Sequence, residues 1–283
     1  MSARPPAVLV GIDTEADDQW TARGRQEMGV RNAARLPALQ ALFEEFGVRP
    51  TYVVTWEMAT RPESAAVLRD LARTGRCEIG THLHPWSSPP FRPEDLAAHT
   101  YPHNLPEELL DRQLRELTAV IQEQLGVRPT TYRAGRNGFD GRTLPILERL
   151  GYTVDTSVDP LFNERRKGGM VFDGAPIAPY HPDYADVRRP GASKILEIPI
   201  TSATLPGLPK VLERAYARLR PIPWRGAFKR LGLRPVWLRP SYTPDEKSVA
   251  RFLDSLRRLL AHLTGPLGAV GQTYAEFARE WAG

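Results

Sequence analysis

Cysteine is nearly absent from this sequence, which contains Cys77 and no other. A lone cysteine excludes an intramolecular disulfide and therefore the disulfide-rich secreted scaffolds. The sequence also lacks an apolar run of about 18 residues, the usual minimum for a membrane-spanning helix. Its N-terminus leads directly into the apolar run Ala7–Ile12, which is too short for a signal peptide. We therefore expect a cytoplasmic protein without a transmembrane segment.

Signatures of nucleotide and nucleic-acid binding are missing as well. Neither a Gly-x-Gly-x-x-Gly nor a Walker-type loop follows the first apolar run, and no nucleic-acid-binding motif is present. Acids are scarce in one segment, since residues 210–239 contain nine basic residues and a single Glu within a chain of net charge +5. This segment can contact an anionic glycan, a phosphate or an acidic membrane surface, or it can be a solvated face without a partner.

Short apolar runs alternate with segments of helical periodicity along the chain. The hexapeptides 46–51 and 125–130 both read apolar-Gly-Val-Arg-Pro-Thr, in which Gly ends a helix and Pro precedes a strand. Such repeated junctions predict a succession of βα units with about seven or eight strands. Right-handed crossovers then give either a barrel or an open doubly wound α/β sheet.

We expect one domain over residues 1–283, with insertions at about 160–193 and 203–235. A late strand is predicted at Val236–Leu238, directly after the basic segment.

Acidic residues cluster where the first predicted strand ends. Asp13 and Glu15 are two residues apart, so on an extended chain both side chains point to the same side. Two further acids, Asp17 and Asp18, follow them. Four acids at the end of a buried strand are costly unless a positive group compensates them. An ordinary turn needs only one Asp, and the cluster therefore predicts a functional role.

Two histidines follow the predicted strand Cys77–Gly80 with the same spacing. His82 and His84 can point their imidazoles at one place, which is what a metal ion requires from a strand. The alternative is a hydrogen-bonded pair of polar loop residues. The other histidines are dispersed along the chain, so the pair does not reflect a His-rich composition; they are His99, His103, His181 and His262.

Other polar and aromatic residues also follow predicted strands. In a βα barrel all strand exits lie on one face, which is where active sites of this architecture are found. The residues at these exits, besides those already named, are Trp56, Glu57, Arg133, Asp155, Thr201 and Arg239.

Taken in order, these residues resemble the NodB-type polysaccharide deacetylase family. The segments Asp-Thr-Glu-Ala-Asp at 13–17 and His-Leu-His-Pro-Trp at 82–86 are similar to its cytoplasmic, WalW-like branch. The resemblance is strong over residues 8–86, covers 87–158 and 196–201 less closely, and is weak beyond. It implies an irregular (β/α)7 barrel that removes N- or O-acetyl groups from sugars with one bound divalent metal ion, usually zinc.

The resemblance also implies roles for individual residues. Asp13 matches the catalytic base and Arg133 the arginine that orients it. Glu15 matches a metal-binding acid, which is usually Asp in this family, and His82 matches the first histidine ligand. The usual second ligand lies four residues later, where this chain has Trp86. His84 is then the second ligand, at a different spacing.

The largest departure from the family concerns its general acid. The last family motif ends a strand with Leu-His, and the corresponding stretch here is Trp-Leu-Arg at 237–239. Arginine stays protonated and is a poor proton donor. Asp13 can instead return the proton that it takes, or His181 can supply one. Asp155 lies where the fourth motif of the family supplies an acid.

Several side chains are candidates for binding a sugar. Trp86, with Trp56 and Tyr101, can stack against a ring, while Arg136 and Asn137 can bind hydroxyl or carboxylate groups. A structural role is favoured for each of the three aromatic side chains taken singly, and Arg136 and Asn137 can instead brace their loop. Arg239 and the basic segment 210–239 suggest an anionic or phosphate-linked carbohydrate, or peripheral contact with a membrane.

We therefore predict a metal-dependent carbohydrate deacetylase acting on a polysaccharide or its precursor. One alternative is a degenerate barrel that binds a glycan or sugar phosphate without turnover, because Arg239 replaces the expected histidine. A second is an amidohydrolase-like metal hydrolase, although that class carries its His-x-His on the first strand and adds later histidines. A third is an interaction protein that uses the basic segment and has a purely structural metal site.

Overall fold

A computed structural model describes residues 5–91, 100–160, 162–203, 236–237 and 246–281. The strands are β1 (Ala7–Leu9), β2 (Gly11–Thr14), β3 (Thr51–Val54), β4 (Glu78–Leu83), β5 (Thr131–Ala134), β6 (Val154–Asp155), β7 (Leu196–Glu197), β8 (Ser202–Ala203), β9 (Val236–Trp237) and β10 (Val270–Gln272). The α-helices are α1 (Ala22–Glu27), α2 (Leu36–Glu45), α3 (Trp56–Thr60), α4 (Pro62–Arg73), α5 (Glu107–Leu125), α6 (Thr143–Leu150), α7 (Glu246–Thr264) and α8 (Tyr274–Trp281). Short 3-10 turns cover Arg31–Arg35, Pro102–Asn104, Gly135–Asn137 and Arg165–Lys167.

The main sheet has six parallel strands, β2 to β7, which are neighbours in the order of the sequence. Val10 separates β2 from β1, and β1 pairs in parallel with β10. The first strand of the chain thus contacts β10 through its first half and β3 through its second. Strands in sequence order are typical of a βα barrel, whereas a doubly wound sheet reverses its order at a switch point. The predicted α/β fold is confirmed; no pairing joins β7 to β10 within the described residues.

Three details differ from the sequence prediction. The first strand was predicted as continuous over Ala7–Ile12, but it breaks at Val10, where its pairing partner changes. The third strand was predicted to end at Gly80, but β4 continues through His82 to Leu83, because these residues pair with Arg133 and Ala134 of β5. The late strand was predicted as part of the βα succession, but β9 pairs antiparallel with β8, apart from the main sheet.

The core lies between the main sheet and the helices that cover it. On α5 the buried residues recur every three or four positions and form one apolar face. The helix ends at Gly126, whose φ of 73° is in the left-handed region that favours glycine. A second cluster packs Val8 and Phe43 against Leu256 and Leu260 of α7. This contact fixes the late helix against the start of the chain.

The predicted insertion at 160–193 is irregular backbone held by isolated bridges, one of which joins Tyr180 to Glu197 of β7. Residues 204–235, which contain most of the second predicted insertion, lie outside the described residues, as does Arg239. The single-domain organisation stays a prediction. Among the described helices, none combines the length and apolar character that a membrane crossing requires.

Candidate metal centre

Three potential metal ligands meet where β2 and β4 end. His82 and His84 lie on the same side of the chain, as residues two apart on a strand do. The Nε2 atoms of His82 and His84 lie 3.4 Å and 3.0 Å from Oε2 of Glu15, which follows β2. The ligand atoms of all three residues fall within 4.8 Å of one another. The structure thus brings together the acid and both histidines that the sequence singled out.

The geometry of these three side chains fits a tetrahedral ion. Nδ1 of His82 lies 2.9 Å from the backbone oxygen of Arg133 and can donate its proton there. This hydrogen bond leaves the Nε2 lone pair of His82 for a metal. Ligands about 2.1 Å from a tetrahedral ion are about 3.4 Å apart, close to the two separations observed. Two imidazoles and one carboxylate form a donor set that zinc takes in catalytic sites, with a position left for water.

Electrostatics favours an ionised Glu15. Burial alone would raise its pKa, but hydrogen bonds and charge interactions with His82 and His84 lower the pKa of Glu15 to about 2. Burial lowers the pKa of His84. Burial opposes charge on His82 too, yet the carboxylates of Asp13 and Glu15 raise the pKa of His82. The carboxylates of Asp13 and Glu15 therefore place negative charge beside His82, as a cation requires.

The ring of His84 is fixed by tight packing. Trp86 covers it with ring centroids 4.3 Å apart, and Trp20 meets it edge-on at 5.6 Å. The backbone of Gly135 also passes so close that an added Cβ would lie 2.5 Å from Nδ1 of His84. A residue larger than glycine at 135 would displace the imidazole. Gln113 holds the loop that carries Trp86, by donating to the backbone oxygens of Pro85, Ser88 and Pro90.

Asp13 and Arg133 form an ion pair beside the three ligands. Nη1 of Arg133 donates to Oδ1 of Asp13 at 2.6 Å. Three other N–H groups of this buried guanidinium donate to the backbone oxygen and hydroxyl of Thr156 and to the hydroxyl of Tyr274. Burial opposes its charge, but Asp13 and other neighbours raise the pKa of Arg133. Arg133 is therefore a fixed cation that holds the Asp13 carboxylate in place.

Two further acids lie side by side in the sheet behind this ion pair. Asp155 of β6 and Glu197 of β7 are register partners, and both are fully buried. Ser157 donates its backbone N–H and its hydroxyl to Asp155. Burial, followed by the charge of Asp155, raises the pKa of Glu197 well above its ordinary value. We therefore describe Glu197 as the protonated partner, hydrogen-bonded to Asp155. The acid predicted at 155 is present, but it has no access to solvent.

Trp20 is the exposed aromatic residue of the site, and the sequence reasoning assigned it no role. Its side chain is 55% exposed, whereas Trp86 and Tyr101, both predicted to stack on a sugar, are only 5% and 1% exposed. The ring of Trp20 packs edge-to-face against Trp86 at 5.9 Å. The sequence does contain an indication that Trp20 is exposed. It lies between Gln19 and Thr21, in a polar stretch after the acidic cluster, where no periodic apolar pattern assigns it to the buried face of a helix or strand.

The remaining predicted binding residues follow β5. Arg136 is half-buried, and its guanidinium carbon lies 3.7 Å above the centroid of the Tyr101 ring. Asn137 is buried and donates to the backbone oxygen of Ser157. His181, considered as a proton donor, hydrogen-bonds through Nδ1 with the backbone oxygen of Ile195.

Comparison with known proteins supports the family that the motifs resemble. Residues 20–154 match the polysaccharide deacetylase family. This range includes His82, His84 and Arg133, while Asp13 and Glu15 precede it. No curated protein matched the sequence.

Solved structures share the fold. A candidate polysaccharide deacetylase from Mycobacterium smegmatis is 17% identical, with a TM-score of 0.56 over 97% of this chain and 88% of that one. A 4-alpha-glucanotransferase from Thermococcus litoralis is 15% identical, with a TM-score of 0.54 over 98% of this chain and 41% of that one. The same fold thus carries more than one activity, and the function has to be argued from the site.

Proposed function

We propose that this chain is a metal-dependent carbohydrate deacetylase of the NodB type, close to the WalW-like branch. The observation that carries the proposal is the convergence of Glu15, His82 and His84 beside the Asp13–Arg133 ion pair. The family match over residues 20–154 supports it. We place the enzyme in the cytoplasm, because its lone cysteine fits a reducing compartment; recovery of the native protein outside the cytoplasmic fraction would contradict this.

Glu15, His82 and His84 would hold the ion, and the donor set favours zinc. When bound, such an ion lowers the pKa of a coordinated water to about 7 and polarises the acyl carbonyl. Glu15 contributes the negative charge, and His82 is kept in the required tautomer by the backbone oxygen of Arg133.

Asp13 acts as the proton carrier in this proposal. It takes a proton from the water that attacks the acetyl carbon, and Arg133 stabilises the ionised form that this step needs. As the bond from the acetyl carbon to the sugar nitrogen or oxygen breaks, Asp13 gives the proton to the leaving atom. The products are acetate and a free amine or hydroxyl group on the sugar. In this proposal Asp13 serves as base in the first step and as acid in the second. A histidine at position 239, where this chain has arginine, is then not required.

Bound metal and acetate release, measured together, test the proposal. The unmodified protein should bind about one zinc ion per chain and release acetate from an acetylated oligosaccharide. The His82→Ala/His84→Ala variant should lose the metal and the activity. Asp13→Asn should keep the metal but lose activity by about 10²–10⁴-fold, the usual effect of removing an acid–base group. His262→Ala, at an exposed position of α7, is the control.

The outcomes separate the alternatives. Absence of metal after zinc is supplied, with the protein folded, would contradict the whole proposal. Metal without acetate release from any acetylated sugar would favour a glycan-binding protein without turnover. Full activity of Asp13→Asn would keep the hydrolase but remove Asp13 as the proton carrier.

A further inference from the structure

We propose that Arg136 forms a subsite for a negatively charged group of the substrate, either a carboxylate or a phosphate. This inference rests on the proposed function and adds a substrate class to it: acetylated glycans that are acidic. It is carried by the backbone at 136–137, the surroundings of the guanidinium and its position next to the metal ligands.

The backbone holds Arg136 in an unusual conformation. Arg136 and Asn137 have φ values of 55° and 56°, in the left-handed region that residues other than glycine avoid. Each such residue destabilises the folded backbone. Asn137 stabilises the turn by donating to the backbone oxygen of Ser157 at 2.8 Å. The turn thus gives Arg136 a defined direction at a cost in stability, and such strain is concentrated at functional sites.

The guanidinium is immobilised but not neutralised. Its carbon lies 3.7 Å above the ring centroid of Tyr101, and Nη2 donates to the Tyr101 hydroxyl at 2.6 Å. A guanidinium has five N–H donors, and this hydrogen bond uses one of them. Among the described residues, no carboxylate lies within ion-pair distance of Arg136. A half-buried cation without an anionic partner is unfavourable, so the geometry indicates an anion supplied by a ligand.

Arg136 is adjacent to the proposed reaction centre. In the β4–β5 ladder, Leu83 is paired with Ala134, which places His84 level with Gly135. Gly135 touches the imidazole of His84 closely enough that an added Cβ would collide with it. Arg136 is the next residue. A substrate whose acetyl group lies at the metal can therefore reach Arg136 with a neighbouring substituent or the next sugar ring.

The turn of the insertion near Tyr101 contains three cations, Arg165, Arg166 and Lys167, and one acid, Glu164. The insertion contacts the Tyr101 ring through Gly169, where an added Cβ would lie 2.9 Å from a ring carbon. Just before Gly169, Arg165, Arg166 and Lys167 are exposed. Lys167 pairs with Glu164, whereas no ion pair of Arg165 or Arg166 is present among the described residues. This side of the site therefore attracts anions over a distance of about 10 Å at ordinary ionic strength.

Matched acetylated oligosaccharides test the subsite. The probes are an acetylated oligouronide, an acetylated sugar phosphate and a neutral acetylated oligosaccharide, each measured for KM, kcat and binding by calorimetry. The unmodified protein should bind at least one acidic probe about tenfold or more tightly than the neutral one. Arg136→Gln should abolish that preference. Arg136→Lys should retain part of that preference, because lysine keeps the positive charge but cannot form the two parallel hydrogen bonds of a guanidinium. Which acidic probe is preferred distinguishes carboxylate from phosphate.

Arg112→Gln is the matched control, since it removes the same charge from an exposed position of α5. It should leave the preference for the acidic probe unchanged. Equal binding of acidic and neutral probes, or an unchanged preference in Arg136→Gln, would overturn the subsite and reduce Arg136 to a brace for its loop. If no probe is deacetylated, the proposed function fails; the subsite then stands only if an acidic probe binds and Arg136→Gln loses that binding.

Discussion

Trp20 gives the site an exposed apolar surface next to His84. Its ring contacts both His84 and Trp86, yet more than half of its side chain is exposed. A sugar ring has an apolar face, and removing this face from water is favourable. Trp86 is covered, whereas Trp20 can offer its exposed surface to a substrate.

Trp20→Ala is expected to raise KM for an acetylated oligosaccharide by about 5- to 30-fold, which corresponds to a loss of about 1–2 kcal/mol of apolar contact. The value of kcat should change less, because Trp20 carries no proton and is not among the three metal ligands. Steady-state kinetics with parallel metal analysis would measure this. Trp281→Ala is the control, since Trp281 is 48% exposed on α8 and packs on Phe277. A lower metal content with KM unchanged would instead assign Trp20 a purely structural role towards His84.

At the scale of single residues, the alternation of side chains along a strand was a better guide to the candidate metal ligands than the composition was. The spacing of two residues was enough to place His82 and His84 on one side, and Asp13 with Glu15 at a second strand end. It could not predict which tryptophan is exposed. Trp86 lies in a loop that is held by Gln113, a residue of α5 that follows 27 positions later in the chain. The Gln113 side chain donates hydrogen bonds to backbone oxygens of this loop. Such long-range contacts leave no periodic signal in the sequence.

At the scale of elements, β6 and β7 place two acids next to each other in the core. The unfolded chain ionises Glu197 above its ordinary pKa of about 4.3, whereas in the folded protein burial and Asp155 raise its pKa well above that value. The folded state then binds more protons than the unfolded state. The contribution of Glu197 to the stability therefore falls as pH rises from about 4 towards the pKa of Glu197 in the folded protein.

Glu197→Gln should weaken this pH dependence, because glutamine resembles the protonated acid at every pH. Relative to the unmodified protein, the variant should gain up to about 1.4 kcal/mol in unfolding free energy per pH unit while Glu197 keeps its proton. Urea unfolding at pH 5, 6, 7 and 8 would measure the difference. Glu123→Gln, at an exposed position of α5, is the control for the same change of side chain away from Asp155. A constant difference for Glu197→Gln would mean that Glu197 is ionised in the folded protein.

The succession of βα units was predicted from the repeated helix-stop and strand-start junctions, but two of the observed strand pairings were not. The break at Val10 depends on β10, which lies some 260 residues later and pairs with Ala7–Leu9. The antiparallel pairing of β9 depends on β8. Apolar character predicts that a segment is a strand, whereas its partner is set by tertiary structure.

At the scale of the whole molecule, the proposed ion would connect distant parts of the chain, since Glu15 follows β2 while His82 and His84 belong to β4 and its exit. Zinc that binds the folded state alone should stabilise it, by about 2.7 kcal/mol at a hundredfold excess over Kd. We expect a higher Tm with zinc, a lower Tm with a chelator and no zinc effect in His82→Ala/His84→Ala. Thermal unfolding followed by circular dichroism would measure this. An equal zinc effect in the double variant would locate the binding elsewhere.

The hydrogen bond from Arg133 to Tyr274 also bears on protein synthesis. Asp13 and Arg133 are 120 residues apart, and Tyr274 follows 141 residues after Arg133. On the ribosome, both members of the ion pair are therefore translated well before Tyr274, and β10 cannot yet have docked onto β1. Until then the guanidinium lacks one of its anchors. The nascent chain thus completes the hydrogen bonds around this guanidinium only after Tyr274 has been translated and β10 has paired with β1.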